Sequence, residues 1–230
     1  MTQPSTNGGT PASSGRTPAQ GNRLDPWYDV YADRAHNLRA SEIRALFSVV
    51  SRPEVVSLAG GMPNLKDLPL DRLAASAEKL IRNHGAQAMQ YGSGQGWEVL
   101  RERITEVMSY DGIVGADPDD VVVTTGSQQA LDLVTELFVN PGDVILAEAP
   151  SYVGALGVFR ARQADVVHVP MDENGIIPEA LVETIRDVRS SGRTIKFIYI
   201  IPNYHNPGGV TMSAERRPII AEICLREHIL

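Results

Sequence analysis

The spacing of apolar residues divides the chain into three stretches. Residues 1–24 contain almost no large apolar side chains, so burial cannot offset the entropy of ordering them, and a disordered tail is predicted. From Trp27 onward, apolar residues recur at helical spacing. They predict helices around 43–50, over 71–83 and around 97–108, with Pro53 ending the first. Residues 25–110 are therefore expected to form an N-terminal arm and small-lobe helices.

After residue 110, short apolar strands alternate with amphipathic helices. The predicted strands are 121–124, 144–146, 166–169 and 195–201, and the predicted helices are 127–138, 152–162, 178–190 and 213–228, the last capped by Ser213. Strands that are apolar on both faces and alternate with helices indicate a mostly parallel sheet with helices packed on it. The class is α/β, and residues 111–230 are expected to be the first part of a larger sheet domain.

Charge and composition exclude several functions. The formal net charge of −7 gives no electrostatic support to nucleic-acid binding. Cys224 is the sole cysteine, so an intramolecular disulfide is impossible and a cytoplasmic setting is expected. No run of 18 apolar residues and no apolar signal region occur, so neither a membrane span nor a signal peptide is predicted. No metal site is predicted.

The first candidate site follows the predicted strand 121–124. There, Thr124-Thr125-Gly126-Ser127-Gln128 leads through a Gly-Ser turn into a helix. Free backbone N–H groups, a hydroxyl and the positive end of a helix dipole suit a phosphate group. An ordinary capped turn between a strand and a helix explains the same residues. The glycine and lysine spacing of a Walker loop or a dinucleotide fingerprint is absent.

Three further loops carry candidate side chains. Glu148-Ala149-Pro150-Ser151-Tyr152 ends a strand with an aromatic ring that can stack on a flat cofactor, or pack beneath a loop. Tyr204-His205-Asn206-Pro207-Gly208-Gly209 ends another with an amide that can bind a ligand oxygen, although such turns are common. The glycine-rich loop 90–96 carries one phenol, Tyr91, and a flexible connection explains it equally well.

Together with Ser57-Leu58-Ala59-Gly60-Gly61-Met62-Pro63, these loops resemble the fold-type I, class I/II aminotransferases. The chain is most similar to the subgroup that includes 2-aminoadipate aminotransferases and the effector domains of MocR-type regulators. The resemblance runs from about residue 38 to residue 230. It implies an incomplete PLP-transferase type I fold: the arm, the small-lobe helices and the first half of the mostly parallel sheet. In one departure, Gly208 stands where the family has threonine.

The resemblance also implies residue roles around pyridoxal 5'-phosphate (PLP). Tyr152 is expected to stack on the pyridine ring and Asn206 to bind its 3-oxygen. Tyr91 is expected to reach the phosphate in a partner subunit, which implies a homodimer. The phosphate is expected to be bound by Gly126, Ser127 and Gln128. The substrate is expected to be bound by Gly61 and Arg44.

The implied activity is amino-group transfer between an amino acid and a 2-oxo acid. PLP chemistry needs a lysine amine, and none of Lys66, Lys79 and Lys196 matches the family's position. The chain is therefore expected to be a partial sequence that is inactive alone. A non-catalytic remnant, another fold-type I activity such as a lyase, and a MocR-type regulator remain alternatives.

Arg44 is the one sequence feature that bears on substrate choice. In the enzyme that contains this chain, Arg44→Ala is expected to lower kcat/KM for dicarboxylic amino acids relative to large neutral ones, because a guanidinium pairs with a carboxylate. Steady-state kinetics with both substrate classes measures this preference. Unchanged relative kcat/KM values would contradict the assignment.

Overall fold

The computed structural model describes residues 25–36, 54–56 and 65–230. The predicted tail 1–24, the predicted helix 43–50, Arg44 and Gly61 lie outside the described residues. The chain divides into two compact units, Met1–Leu38 and Arg39–Leu230. The described part of the first unit contains a 3-10 helix, Tyr28–Val30, and one turn of helix, α1 (Asp33–His36).

Two long helices come first in the described part of the second unit. They are α2 (Leu70–Ala88), which has a kink at His84, and α3 (Glu98–Tyr110). Both predicted helices are confirmed, and α2 extends five residues beyond the predicted end. Arg101 on α3 is buried and donates from Nη1 to the Pro118 carbonyl at 2.7 Å and to Asp119 Oδ1 at 2.9 Å. These bonds join α3 to the 3-10 helix Pro118–Asp120.

A four-stranded sheet forms the centre of this unit. Its strands are β1 (Val144–Ala149), β2 (Asp165–Asp172), β3 (Gly175–Ile176) and β4 (Ile195–Tyr199), in the order β3-β2-β1-β4. β1 pairs in parallel with both β2 and β4, which confirms the mostly parallel sheet. The two-residue β3 pairs antiparallel with β2 and was not predicted. Beyond β4, the Leu230 carbonyl accepts a hydrogen bond from Ile198 N at 2.8 Å.

Helices cover the sheet on both faces. They are α4 (Ser127–Phe138), α5 (Val153–Ala161), α6 (Pro178–Ser190) and α7 (Arg216–Arg226). Because side chains alternate across a strand, Val144 and Leu146 join the cluster with α6 and α7, while Ile145 joins the cluster with α5. This double burial explains why the strand sequences are apolar throughout.

Two sequence predictions are wrong in detail. Residues 121–124 form no strand: Val121 is extended, and Val123 N donates to Gln95 O at 2.8 Å, but no strand lies alongside in the described part of the chain. β-branched residues favour an extended backbone, whereas a strand also needs a paired neighbour. Ser213 is not the cap of α7, because that helix begins at Arg216 after Glu215; the Ser213 carbonyl accepts from Arg216 N instead.

None of the helices within residues 25–36 and 65–230 is both long and apolar enough to cross a bilayer.

Gly96 provides a test of the contact between the glycine-rich loop and residues 121–124. Its φ is +101°, and an added Cβ would lie 2.6 Å from Val123 Cβ. Gly112 has a similar φ of +82° with open space around it. Gly96→Ala is therefore expected to lower the free energy of unfolding by about 1–3 kcal/mol more than Gly112→Ala, the matched control for backbone strain. Urea denaturation measures both, and equal losses would contradict this contact.

Candidate functional site

The carboxyl ends of β1 and β4 lie side by side, because the two strands are parallel neighbours. β1 leads into Pro150, Ser151 and Tyr152, and β4 leads into the loop that carries Asn206. Tyr152 and Asn206 therefore lie at the same edge of the sheet, as the sequence predicted. In open α/β sheets, this edge is where ligands bind.

The first turn of α4 has the geometry of an anion site. Gly126 precedes the helix with a φ of +101°, a backbone conformation that favours glycine. Within the described residues, the backbone amides of Ser127 and Gln128 donate no hydrogen bond to protein. They lie at the positive end of the helix dipole, where a phosphate binds favourably.

A side-chain contact stabilises the turn before this helix. Thr125 donates from its backbone N and from Oγ1 to Gln129 Oε1, at 2.7 and 2.9 Å. This contact links the residue before Gly126 to the first turn of α4. The backbone amides around Gly126 are thereby held in position before any ligand arrives.

A cavity of about 510 Å3 lies between α4 and β4, and both Ser127 and Tyr152 line it. Its walls are mainly apolar, formed by Leu131, Val134, Phe138, Phe159, Phe197 and Tyr199. The Tyr152 ring lies over Gly154, where an added Cβ would come within 2.5 Å of it. The cavity thus combines a hydroxyl at a helix N-terminus with an aromatic face, a combination that suits a flat ring bearing a phosphate.

Gln128 faces a different part of the surface. It lines a groove of about 490 Å3 together with Gly157, Val158 and Ala161 of α5. Gln128 therefore lines a different depression from the one that Ser127 and Tyr152 line. Of the three residues predicted to bind phosphate, Ser127 is the one that lines the cavity beside Tyr152.

Tyr199, the last residue of β4, was not predicted as part of the site. It lines the same cavity as Tyr152 and packs edge-on against Phe159, with ring centroids 5.6 Å apart. Burial raises the pKa of the Tyr199 phenol, and the nearby Tyr152 and Glu148 raise it further. Tyr199 therefore contributes a neutral phenol to the wall.

A buried acid and a buried imidazole lie directly below this edge. Glu148 and His205 are each only 1% exposed in their side chains, and Glu148 Oε2 lies 3.1 Å from His205 Nε2. The same oxygen accepts a 2.8 Å hydrogen bond from Ile201 N. Burial raises the pKa of Glu148, opposed by the Ile201 amide and by His205. One sequence signal existed: an acidic residue at the end of an otherwise apolar strand.

The loop after β4 folds back around His205. The backbone N of His205 donates to Val210 O at 2.7 Å, and Gly209 N donates to the His205 carbonyl at 2.6 Å. Asn206 follows with an exposed side chain that makes no hydrogen bond within the described residues, and the Asn206-Pro207 peptide bond is cis. The Asn206 amide is thus available to a ligand.

The other candidate residues lie apart from this cavity. Tyr91 is fully exposed in the loop after α2. Lys196 lies at the amino end of β4, the opposite edge from Asn206, with Nζ 3.3 Å from Asp143 Oδ2. Lys66 and Lys79 are on the surface. In the described part of the chain, no three His, Cys, Asp or Glu side chains cluster to hold a metal ion.

Comparison with known proteins identifies the family. The model for class I and II aminotransferases matches residues 53–230. The chain is 37% identical over 193 residues to aromatic-amino-acid aminotransferase 1 of Thermococcus litoralis, covering 84% of this chain and 46% of that protein. It is 35% identical over 201 residues to 2-aminoadipate transaminase of Thermus thermophilus, covering 87% and 48%. The chain therefore belongs to the class I and II aminotransferase family.

A solved structure agrees with this assignment. The kynurenine aminotransferase of Pyrococcus horikoshii, in complex with PMP, superposes with a TM-score of 0.82 at 33% identity, covering 91% of this chain and 52% of that one. The chain spans about half the length of the curated relatives it matches. The resemblance in sequence and the observed fold are thus in accord.

The raised pKa of Glu148 predicts a pH dependence of stability. A carboxyl group whose pKa is higher in the folded state stabilises the fold below its unfolded pKa, near 4.5, and this contribution is lost as pH rises through the folded pKa. Glu148→Gln is therefore expected to become more stable relative to wild type as pH rises from about 4 to about 7. Urea midpoints measure the difference, with Glu183→Gln at an exposed position of α6 as control. A pH-independent difference would contradict it.

Proposed function

We propose that this chain forms the part of a PLP-dependent aminotransferase that holds the cofactor's phosphate and ring. The proposal is carried by one observation: Ser127, at an open helix N-terminus, and Tyr152, at the carboxyl end of β1, line the same cavity. In this proposal Gly126, Ser127 and the Gln128 backbone amide bind the phosphate, and Tyr152 stacks on the pyridine ring.

Asn206 completes the cofactor side of the site. Its exposed amide is proposed to donate a hydrogen bond to the ring's 3-oxygen, which sets the electronic character of the ring. When bound, PLP supplies the electron-withdrawing ring that makes transfer of an amino group possible. The chain's own residues bind and orient that ring, and the apolar walls of the cavity exclude water from one side of it.

The reaction that fits these residues is transfer of an amino group from an amino acid to a 2-oxo acid. The names of two relatives, an aromatic-amino-acid aminotransferase and a 2-aminoadipate transaminase, support an amino donor with a large or acidic side chain. Gly61 and Arg44 are the proposed contacts to the substrate. Tyr91, which is fully exposed, is proposed to reach the cofactor of a second copy in a homodimer. A cytoplasmic location is proposed as well.

None of the chain's three lysines is assigned to catalysis. Lys196 is paired with Asp143 at the opposite edge of the sheet, and Lys66 and Lys79 are exposed on the surface. A Schiff-base lysine must lie against the cofactor ring. We therefore propose that the 230-residue chain binds the cofactor without transferring amino groups by itself.

Calorimetric titration of the chain with pyridoxamine 5'-phosphate (PMP) tests the proposal, since PMP already carries its amine and needs no lysine for attachment. Saturable binding is expected, and Tyr152→Leu is expected to weaken it about tenfold through loss of ring stacking. Tyr110→Leu, at an exposed position at the end of α3, is the matched control and should bind PMP with the wild-type affinity.

Two outcomes would overturn the proposal. The first is no PMP binding by a chain that unfolds cooperatively. The second is equal affinity in Tyr152→Leu and Tyr110→Leu, which would remove Tyr152 from the site. A transaminase assay on the same sample, with an aromatic or acidic amino donor and 2-oxoglutarate, should give no turnover.

A further inference from the structure

We propose that the buried Glu148–His205 pair positions the Asn206 amide for the cofactor. The inference rests on the proposed function, because Asn206 matters only if a ring oxygen lies beside it. Neither residue touches the cavity, so both act through the loop as positioning residues. The first reason is where the pair lies: it connects the ends of two neighbouring strands to the loop that carries Asn206.

Glu148 holds the carboxyl ends of β1 and β4 together. It is the fifth residue of β1, and its Oε2 accepts a hydrogen bond from Ile201 N, two residues beyond β4. The β1–β4 ladder stops at Tyr199. The carboxylate therefore takes over where backbone pairing ends, and it keeps the first residues of the loop beside β1.

His205 connects the same carboxylate to the turn around Asn206. Gly208 N donates to His205 Nδ1 at 3.0 Å, so Nδ1 carries a lone pair. The ring proton of the neutral imidazole is then on Nε2, which lies 3.1 Å from Glu148 Oε2, although it is not aligned closely enough for a hydrogen bond. His205 thus receives a hydrogen bond from the turn on one side and places its Nε2 beside the acid on the other.

Gly208 fits this arrangement. An added Cβ at Gly208 would lie 3.0 Å from His205 Nδ1, which is tighter than an ordinary contact. The position is the one at which the chain departs from the family's Asn-Pro-Thr-Gly. Glycine at 208 therefore permits the close approach of the imidazole, so the departure and the buried His205 are parts of one local arrangement.

A simpler role in packing does not explain these contacts. Burying a carboxylate is costly unless it is paired, and an apolar pair of similar volume stabilises a core at least as well. What a Glu–His pair adds is direction: Glu148 Oε2 accepts a hydrogen bond from Ile201 N, His205 Nδ1 accepts one from Gly208 N, and His205 Nε2 lies 3.1 Å from Glu148 Oε2. Asn206 lies between Ile201 and Gly208 in the sequence and directly follows His205.

The test compares two substitutions of His205 against two ligands. His205→Leu removes both polar contacts, whereas His205→Gln keeps an acceptor and a donor. Exposed His84→Leu is the matched control. The ligands are PMP and its 3-deoxy analogue, which lacks the oxygen assigned to Asn206. Calorimetry gives the affinities, and circular dichroism with urea denaturation shows that each variant is folded.

His205→Leu is expected to bind PMP about tenfold more weakly than wild type, while His205→Gln stays within about threefold. Wild type and His205→Leu should bind the 3-deoxy analogue equally. If the two residues acted independently, Asn206→Ala would lower PMP affinity by the same factor in wild type and in His205→Leu. A smaller loss of PMP affinity is expected in the His205→Leu background, because Asn206 is already displaced there. Equal losses for both ligands, or additive losses, would overturn the proposal.

A second measurement separates this proposal from the proposed function. Hydrogen exchange of a peptide covering 202–212 should be faster in His205→Leu and in Glu148→Leu, and close to wild type in His205→Gln. A peptide from α6 should not change. If wild type binds no PMP, the proposed function fails, and the exchange data alone decide whether the pair holds the loop. Unchanged exchange in both leucine variants would overturn the positioning role even where PMP binds.

Discussion

Parallel pairing of β1 with β2 and β4 is the constraint on which the rest of the described fold depends. Parallel strands need crossover connections, and the helices in these connections cover both faces of β1, where every residue from Val144 to Ala147 is apolar and buried. Parallel strands also bring their carboxyl ends to one edge, so loops far apart in sequence meet there. Tyr152 and the Asn206 loop are neighbours for this reason, and α4 adds its N-terminus to the same cavity through Ser127.

Glu148 shows how the core and the site are connected. The strand that forms the centre of the sheet ends on an acid that is as buried as its apolar neighbours. Its Oε2 accepts a hydrogen bond from Ile201 N and lies 3.1 Å from His205 Nε2, in the loop that leads to Asn206. Buried contacts of the domain interior therefore reach the loop that carries the exposed Asn206, the proposed cofactor contact.

Local chemistry made much of the fold predictable. Helices 127–138 and 178–190 were predicted with the bounds observed, because amphipathic spacing, Gly126 and Pro178 mark them within a few residues. The strand prediction for residues 121–124 was wrong because strand formation depends on a partner that is distant in sequence. β3 was missed because two residues carry no periodic signal. The Glu148–His205 contact joins residues 57 positions apart, and no local pattern reports such a distance.

The sequence by itself determined the α/β class, the family, and the turn residues that place Gly126 before α4 and Tyr152 and Asn206 after β1 and β4. These follow from periodicity and from the special chemistry of glycine, proline and asparagine over a few residues. Only the tertiary structure decided that Ser127 and Tyr152 share one cavity, that Gln128 faces another groove, and that Glu148 meets His205. Burial and pairing depend on all the neighbouring elements together, which is the physical reason that they become visible only after folding.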